Sequence, residues 1–160
     1  MTETVRFTLN GESCAIDAPA DANLLHLLRE KRALMAAKPG CGIGRCGACM
    51  VLVDGAPANA CLVLAFQLEG TEVITPEGLD LLPIILPIRA ALAEENAFQC
   101  GYCAPGFTVS LAALFARDPD ADEPAIRAAL ERNICRCTGY HSIIRGALAA
   151  AAKLREARSQ

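Results

Sequence analysis

The sequence predicts an α+β protein with a β-rich first half, ending near residue 77, and a helical second half. Three observations predict this class. Apolar residues alternate in short segments before residue 77, they recur at helical spacing after it, and an apolar content of 53% over 160 residues is enough for a core. We therefore expect two domains, residues 1–77 and residues 78–160.

The first two predicted strands form a hairpin close to the start of the chain. Apolar and polar side chains alternate over residues 5–9, which is typical of a strand with one buried face. Asn10 and Gly11 make a strong hairpin turn sequence, and the alternation resumes with Cys14 and Ile16 on the return strand. Cys14 is therefore expected to be a small buried apolar side chain.

A helix and a glycine-rich loop follow the hairpin. Leucines recur at helical spacing over residues 22–33, with Asp21 as a candidate N-cap. Four glycines within residues 40–47 predict an irregular loop. Further strands are predicted at residues 50–53, where an Asp-Gly turn follows, and at residues 72–75.

Four short helices are predicted in the second half. Pro87 and Pro105 suit the first turns of two of them. Pro124 suits the first turn of a third, whose shared face would carry Ile126, Leu130 and Ile134. The fourth is an alanine-rich segment over residues 141–157. Small alanine side chains let helices approach closely, so we expect these four to form a bundle.

The composition argues against several classes of function. The net charge is −3 and lysines and arginines form no run, so nothing favours a nucleic-acid partner. The longest apolar region, residues 79–92, is interrupted by two charges and two prolines and is too broken to span a bilayer. The first residues lack the pattern of a secretory signal. We therefore expect a cytoplasmic protein without a transmembrane segment.

Nine cysteines are then the unusual feature of the chain. An odd number of unevenly spaced cysteines in a reducing compartment favours metal ligation over disulfides. Cys41, Cys46 and Cys49, followed by Cys61, have the C-x4-C-x2-C…C spacing of plant-type [2Fe–2S] ferredoxins. The glycines between them would let backbone amides approach the sulfurs.

A second group of cysteines lies in the helical half. It combines a C-x2-C pair, Cys100 and Cys103, with a C-x-C pair, Cys135 and Cys137. This spacing alone leaves two interpretations open, a second iron–sulfur cluster and a structural zinc site with four thiolates. A thioredoxin-like redox pair is disfavoured because no βαβ pattern surrounds the C-x2-C sequence.

The two groups together resemble the small iron–sulfur subunit of the xanthine oxidase family of molybdenum hydroxylases. Three segments carry the resemblance: KPGCGIGRCGAC at residues 38–49, QCGYCAPG at 99–106 and NICRCTGY at 133–140. The sequence departs from the family pattern in two places. Ala104 stands where the family often has Thr, and Pro39 lies in a segment that is usually Thr-Lys-x-Gly-Cys. Neither departure removes a cysteine.

The resemblance implies a β-grasp, ferredoxin-like domain followed by an all-α four-helix bundle. It also implies two [2Fe–2S] clusters. The cluster nearest molybdenum would be bound by Cys100, Cys103, Cys135 and Cys137, and the outer cluster by Cys41, Cys46, Cys49 and Cys61. Gln99 matches a family glutamine that hydrogen-bonds the pterin of the molybdenum cofactor.

The resemblance further implies a heterotrimer in which this subunit performs no substrate chemistry itself. A large subunit would hold the molybdenum–pterin cofactor, and a medium subunit would hold FAD, unless another acceptor such as a cytochrome takes its place. The expected function is electron transfer from the molybdenum centre to the flavin. Residues 46–55 and 59–63 most resemble small subunits of bacterial dehydrogenases that act on purines or other N-heterocycles. The resemblance therefore favours an N-heterocycle as the substrate of the complex, with an aldehyde as the alternative.

Two further hypotheses come from other classes of protein. One is a redox-sensing binding protein with one iron–sulfur site and one zinc site. The other is a free-standing ferredoxin, which would need neither the second group of cysteines nor Gln99.

Overall fold

The computed structural model describes residues 2–159, so the outermost bounds of the two predicted domains, residues 1 and 160, lie outside the described part. The first half contains one mixed sheet of five strands in the order β2-β1-β5-β3-β4. The strands are β1 (Thr2–Leu9), β2 (Glu12–Pro19), β3 (Met50–Val53), β4 (Ala56–Asn59) and β5 (Glu72–Ile74). Of the four strand pairs within residues 2–159, β1–β5 is parallel and the other three are antiparallel.

The predicted hairpin is confirmed. Strands β1 and β2 pair antiparallel in a register that places Leu9 opposite Glu12. Asn10 and Gly11 both have left-handed backbone angles, with φ of 52° and 80°, as a two-residue turn between twisted strands requires. Cys14 is buried, as the alternation predicts.

Strand β4 is absent from the sequence prediction. It contains Pro57 and no β-branched residue, so its composition does not indicate a strand. Because β4 is an edge strand, one side of its backbone needs no hydrogen-bonded neighbour and the proline is tolerated.

The first helix is shorter than predicted. Helix α1 spans Leu24–His26 and continues as a π-helical turn over Leu27–Lys31, within the predicted range 22–33. Asn23, not Asp21, is the N-cap, and its side chain accepts a 2.9 Å hydrogen bond from the amide of His26. Two short 3-10 turns, Ala65–Gln67 and Pro76–Leu81, complete the connections of this half.

The second half contains four helices at the predicted places. They are α2 (Ile85–Glu94), α3 (Ala104–Arg117), α4 (Glu123–Leu130) and α5 (His141–Arg158). Helix α5 packs on α2 and α4, and α3 packs on α2 and α4. None of the helices within residues 2–159 combines the length and hydropathy needed to cross a bilayer.

The prediction that Ile134 continues the buried face of α4 is wrong. Helix α4 ends at Leu130, and Ile134 lies in the following loop with 53% of its surface exposed. The helix stops because residues 131–134 turn back: the amide of Asn133 donates to the carbonyl of Leu130, and the amide of Ile134 donates to the carbonyl of Cys46 in the first half.

The sheet has an apolar core on each face. One face packs against α1 and the π-helical turn through side chains such as Val5, Phe7 and Val51. On the other face Met50, Leu52 and Ile74 join the core of the helical half, with Phe107 and Phe115 at its centre. The two halves are thus joined by continuous apolar packing, which brings their cysteine loops to one region.

Candidate metal centres

The first group of cysteines, here called the loop site, consists of Cys41, Cys46, Cys49 and Cys61. Residues 38–49 form an irregular loop directly before β3. Close approach to sulfur requires glycine at position 40, because a Cβ there would lie 2.7 Å from the Cys46 Sγ.

Backbone amides of this loop point at the Cys41 sulfur. The amides of Arg45 and Cys46 donate to it at 3.2 and 3.4 Å, and the amide of Cys41 donates to the Cys46 Sγ at 3.4 Å. Hydrogen bonds from the amides of Ile43 and Arg45 lower the pKa of the Cys41 thiol to about 6. The loop therefore stabilises negative charge on this sulfur, as thiolate ligation requires.

The other two cysteines of the loop site lie deeper. Cys49 is buried, and burial raises the pKa of its thiol to about 12. The Cys61 side chain lies close enough to contribute to this rise in pKa. Asn59 lies beside this pair: its Oδ1 is 3.9 Å from the Cys49 Sγ, and its Nδ2 donates to the carbonyl of Gly44 at 3.2 Å. Asn59 therefore ties strand β4 to the cysteine loop.

The second group, here called the helical site, consists of Cys100, Cys103, Cys135 and Cys137. Cys100 precedes α3, and Cys137 precedes α5. Their Sγ atoms lie 3.6 Å apart, and the hydrogen bond between them raises the pKa of the Cys137 thiol. Two thiolates on one tetrahedral metal lie about 3.8 Å apart, since each metal–sulfur bond is about 2.3 Å. This pair therefore has the spacing of two ligands on one metal.

Cys103 and Cys135 form the deeper pair of the helical site. Burial raises the pKa of the Cys103 thiol to about 12, with a smaller contribution from the neighbouring Cys135 thiol. Burial also acts to raise the pKa of Cys135, but hydrogen bonds to its sulfur outweigh it and lower the pKa. The first of these donors is the Thr138 hydroxyl, at 3.2 Å from the Cys135 Sγ. The amide of Cys135 in turn donates to the Tyr140 hydroxyl at 3.2 Å.

Each site thus brings its four thiols together as two pairs. Within residues 2–159 no three or more His, Cys, Asp or Glu side chains lie close enough together to hold a single metal ion. A binuclear cluster with four thiolate ligands takes two on each iron, so pairs are the arrangement that its irons need. The donor chemistry, with thiols and hydrogen bonds to sulfur, also fits an iron–sulfur cluster.

The structure brings together the cysteines that the sequence analysis grouped and leaves Cys14 apart on β2. Gln99 is exposed and directly precedes Cys100. Sequence reasoning missed the roles of Asn59, Thr138 and Tyr140. The position of Thr138 directly after the C-x-C pair was a signal, because a hydroxyl there is within reach of a neighbouring sulfur.

Comparisons with known proteins agree with this geometry. Residues 7–79 match the family model described as "2Fe-2S iron-sulfur cluster binding domain", and residues 75–148 match the model described as "[2Fe-2S] binding domain". The helical half therefore matches an iron–sulfur model, which favours a cluster over the zinc alternative. The class defined by fold and sites is that of a protein with two [2Fe–2S]-binding domains.

Relatives identify the family. The chain is 43% identical over 145 residues to a probable xanthine dehydrogenase subunit of Bacillus subtilis, covering 91% of this chain and 83% of that one. The quinoline 2-oxidoreductase structure from Pseudomonas putida 86 superposes with a TM-score of 0.88 at 33% identity, covering 97% of each chain. This chain belongs to the small iron–sulfur subunits of the xanthine oxidase family of molybdenum hydroxylases. Proteins of this family are subunits of oxidoreductase complexes.

A third relative shows the same unit inside a longer chain. The aldehyde oxidoreductase structure from Desulfovibrio desulfuricans has a TM-score of 0.88 at 34% identity, covering 96% of this chain but 17% of that one. Related proteins thus occur both as separate subunits and as parts of larger chains.

Proposed function

We propose that this chain is the electron-transfer subunit of a molybdenum hydroxylase and relays single electrons through two [2Fe–2S] clusters. The observation that carries the proposal is the pairing of eight cysteines into two sets in a chain whose two halves match [2Fe–2S]-binding models. Each bound cluster would supply a centre that takes up and releases one electron. The chain's own residues hold the clusters, shield them and adjust the charge at their sulfurs.

The four pairs of neighbouring thiols suggest which two cysteines would bind each iron of the two clusters. In the loop site Cys41 and Cys46 would share one iron, and Cys49 and Cys61 the other. In the helical site the corresponding pairs are Cys100 with Cys137 and Cys103 with Cys135. In each site one pair is more exposed than the other, so each cluster would have one iron nearer the protein surface.

The two halves are proposed to be separate domains with a boundary between residues 77 and 78. The mixed sheet with α1 against one face supports a β-grasp, ferredoxin-like domain. The packing of α2, α3, α4 and α5 on one another supports a four-helix bundle for the second domain.

The helical site is proposed to face the molybdenum centre of a large partner subunit. Gln99 supports this orientation, because its exposed side chain directly precedes Cys100 and is free to donate to a pterin from outside the chain. The loop site would then pass electrons to FAD on a medium subunit, or to another acceptor such as a cytochrome. Cysteines that serve as metal ligands and not as disulfide partners suit a reducing, cytoplasmic location for such a complex.

The proposed substrate class of the complex is a purine-like or other N-heterocycle. The relatives named for xanthine and quinoline support this class, since both compounds are N-heterocycles. An aldehyde is the second candidate, favoured by the likeness to the aldehyde oxidoreductase. The substrate pocket would lie in the large subunit.

Anaerobic reduction by substrate tests the proposal. The chain is co-purified with its large partner, and the visible absorbance and EPR signals of the clusters are recorded after adding a purine, a pyridine-type heterocycle or an aldehyde. Reduction of both clusters by a heterocycle is expected. Reduction by the aldehyde alone would favour the second candidate, and clusters that only dithionite reduces would contradict the relay.

A further inference from the structure

The two cysteine-bearing loops meet at a buried seam formed by Gly47, Gly106, Ser110 and Asn133. A Cβ on Gly106 would lie 2.1 Å from the carbonyl oxygen of Gly47. A Cβ on Gly47 would lie 2.4 Å from the carbonyl oxygen of Arg132 and 2.6 Å from the Asn133 Nδ2. The loop site therefore touches α3 and the 131–135 loop through backbone contacts that leave no room for a side chain.

Asn133 is the polar centre of this seam. Only 4% of its surface is exposed, and its Oδ1 accepts a 2.8 Å hydrogen bond from the equally buried Ser110 hydroxyl on α3. Its backbone amide donates to the carbonyl of Leu130 at 2.9 Å. Because an amide is costly to bury without partners, these bonds hold residue 133 in one position against α3.

The next residue links the two metal sites. The amide of Ile134 donates a 3.0 Å hydrogen bond to the carbonyl of Cys46, a ligand position of the loop site, and Cys135 of the helical site follows directly. The Ile134 side chain is 53% exposed, so its own packing contributes little to holding this backbone. The Ile134 amide is therefore placed by its neighbours, and Asn133 is the neighbour whose side chain is held within the seam.

We propose that Asn133, held by Ser110, is a positioning residue that fixes the two cysteine sites relative to each other. Its locked side chain keeps the Ile134 amide on the Cys46 carbonyl, and so sets how strongly the two clusters interact. The inference rests on the proposed two-cluster relay, but the placement of the Ile134 amide is measurable without any redox step.

Two variants of the purified iron-loaded complex test this role. Asn133→Ala removes the buried amide, and Ser110→Ala removes only the hydroxyl that holds it. Thr108→Val is the matched control, because it removes another buried hydroxyl of α3, which donates to the carbonyl of Ala104 at 2.8 Å, away from the seam.

The first readout is hydrogen exchange at the Ile134 amide, measured by mass spectrometry of the peptide that contains it. Loss of the Ser110 hydrogen bond should speed this exchange about tenfold, since a net hydrogen bond contributes about that factor to a local closing equilibrium. The control should exchange at the wild-type rate. Wild-type exchange in both seam variants would overturn the proposal.

The second readout is the magnetic splitting between the two reduced clusters in low-temperature EPR, which depends on the distance and pathway between them. We expect reduced splitting in the seam variants, with iron content as in the wild type. Faster exchange with unchanged splitting would overturn the claimed effect on the clusters. If Asn133→Ala loses iron, the milder Ser110→Ala decides.

Failure of the relay itself gives a different result. In that case wild-type clusters would be reduced by dithionite and not by any substrate, whereas the exchange and splitting comparisons would still decide the role of Asn133.

Discussion

Backbone amides donate to sulfur in both the loop site and the helical site, but the helical site also has a hydroxyl donor. In the loop site the amides of Arg45 and Cys46 donate to the Cys41 Sγ. In the helical site a side chain, the Thr138 hydroxyl, donates to the Cys135 Sγ. Backbone donors follow from the shape of the loop, whereas a side-chain donor is changed by one substitution. The properties of the helical site are therefore the easier of the two to adjust by mutation.

The two sites nevertheless share an arrangement of burial. Each pairs a more exposed set of thiols with a deeper one, in which Cys49 or Cys135 is buried. Two different backbone frameworks reach the same result: a loop before β3 joined by Cys61 after β4, and two loops before helices. In the proposed relay this arrangement would shield most of a bound cluster and leave one side open to an electron partner.

Ligand substitution has the largest expected effect and tests whether the sites are independent. Cys49→Ser should remove the loop-site cluster and Cys135→Ser the helical-site cluster, each leaving about two of about four irons per chain. Iron analysis and EPR measure the loss. Cys14→Ala is the matched control, and it should keep all the iron because Cys14 lies on β2 away from both sites. Loss of both clusters from one substitution would show that the sites depend on each other.

Thiol reactivity of the iron-free chain sharpens the contrast between exposed and buried sulfurs. Cys41, with its pKa lowered to about 6, is mostly thiolate at neutral pH, whereas Cys49 and Cys103, with pKa values of about 12, are protonated. Iodoacetamide should therefore modify Cys41 orders of magnitude faster at neutral pH. Its rate should fall as the pH drops through about 6, because the thiolate is then protonated.

Peptide mass spectrometry after timed labelling measures these rates, and circular dichroism checks that the iron-free chain stays folded. Equal labelling of Cys41 and Cys103 under native conditions would contradict the role of the loop amides.

Removing the Thr138 hydroxyl tests the side-chain donor. Thr138→Val should lower the reduction potential of the helical cluster by roughly 20–60 mV, because a hydrogen bond of about 0.5–1.5 kcal/mol that favours the more negative reduced state is lost. An EPR-monitored redox titration measures both clusters. The loop cluster should keep its potential, and Thr138→Ser should restore the wild-type value. A shift of both potentials would argue against a local effect.

The smallest expected effect is that of Ile134→Ala, in the segment between α4 and Cys135. It should cost less than about 0.5 kcal/mol of unfolding free energy, since the Ile134 side chain is mostly exposed. The reference variant is Ile126→Ala, which should cost about 2–4 kcal/mol because Ile126 is fully buried on α4. Chemical denaturation of the iron-loaded chain compares the two. A large cost at Ile134 would mean that α4 extends further than the structure has it.

Much of this architecture is visible in the sequence, and the misses have physical causes. The hairpin at Asn10 and the starts of α3 and α4 were predicted because turn and proline residues act locally. Strand β4 was missed because an edge strand tolerates Pro57, so its composition resembles a loop. Ile134 was misplaced because helical spacing continues past Leu130, whereas a contact with Cys46 from the other half of the chain turns the backbone.

The spacing of the cysteines along the chain predicts part of each candidate site. The spacing of the cysteines predicted which thiols belong together, since short loops keep their ends close. It could not predict which two within a set pair with each other, nor that Asn133 lies against Gly47. These contacts depend on how the helices pack on the sheet, and no local pattern encodes that packing.

The central claim, that the chain carries two [2Fe–2S] clusters in series, is tested most directly on the anaerobically purified chain. Iron, sulfide and zinc are counted, and EPR spectra are recorded after dithionite reduction. About four irons and four sulfides per chain, with two distinguishable spin-half signals, are predicted. About two irons with one zinc and a single signal would contradict the relay and make the helical site a structural zinc centre.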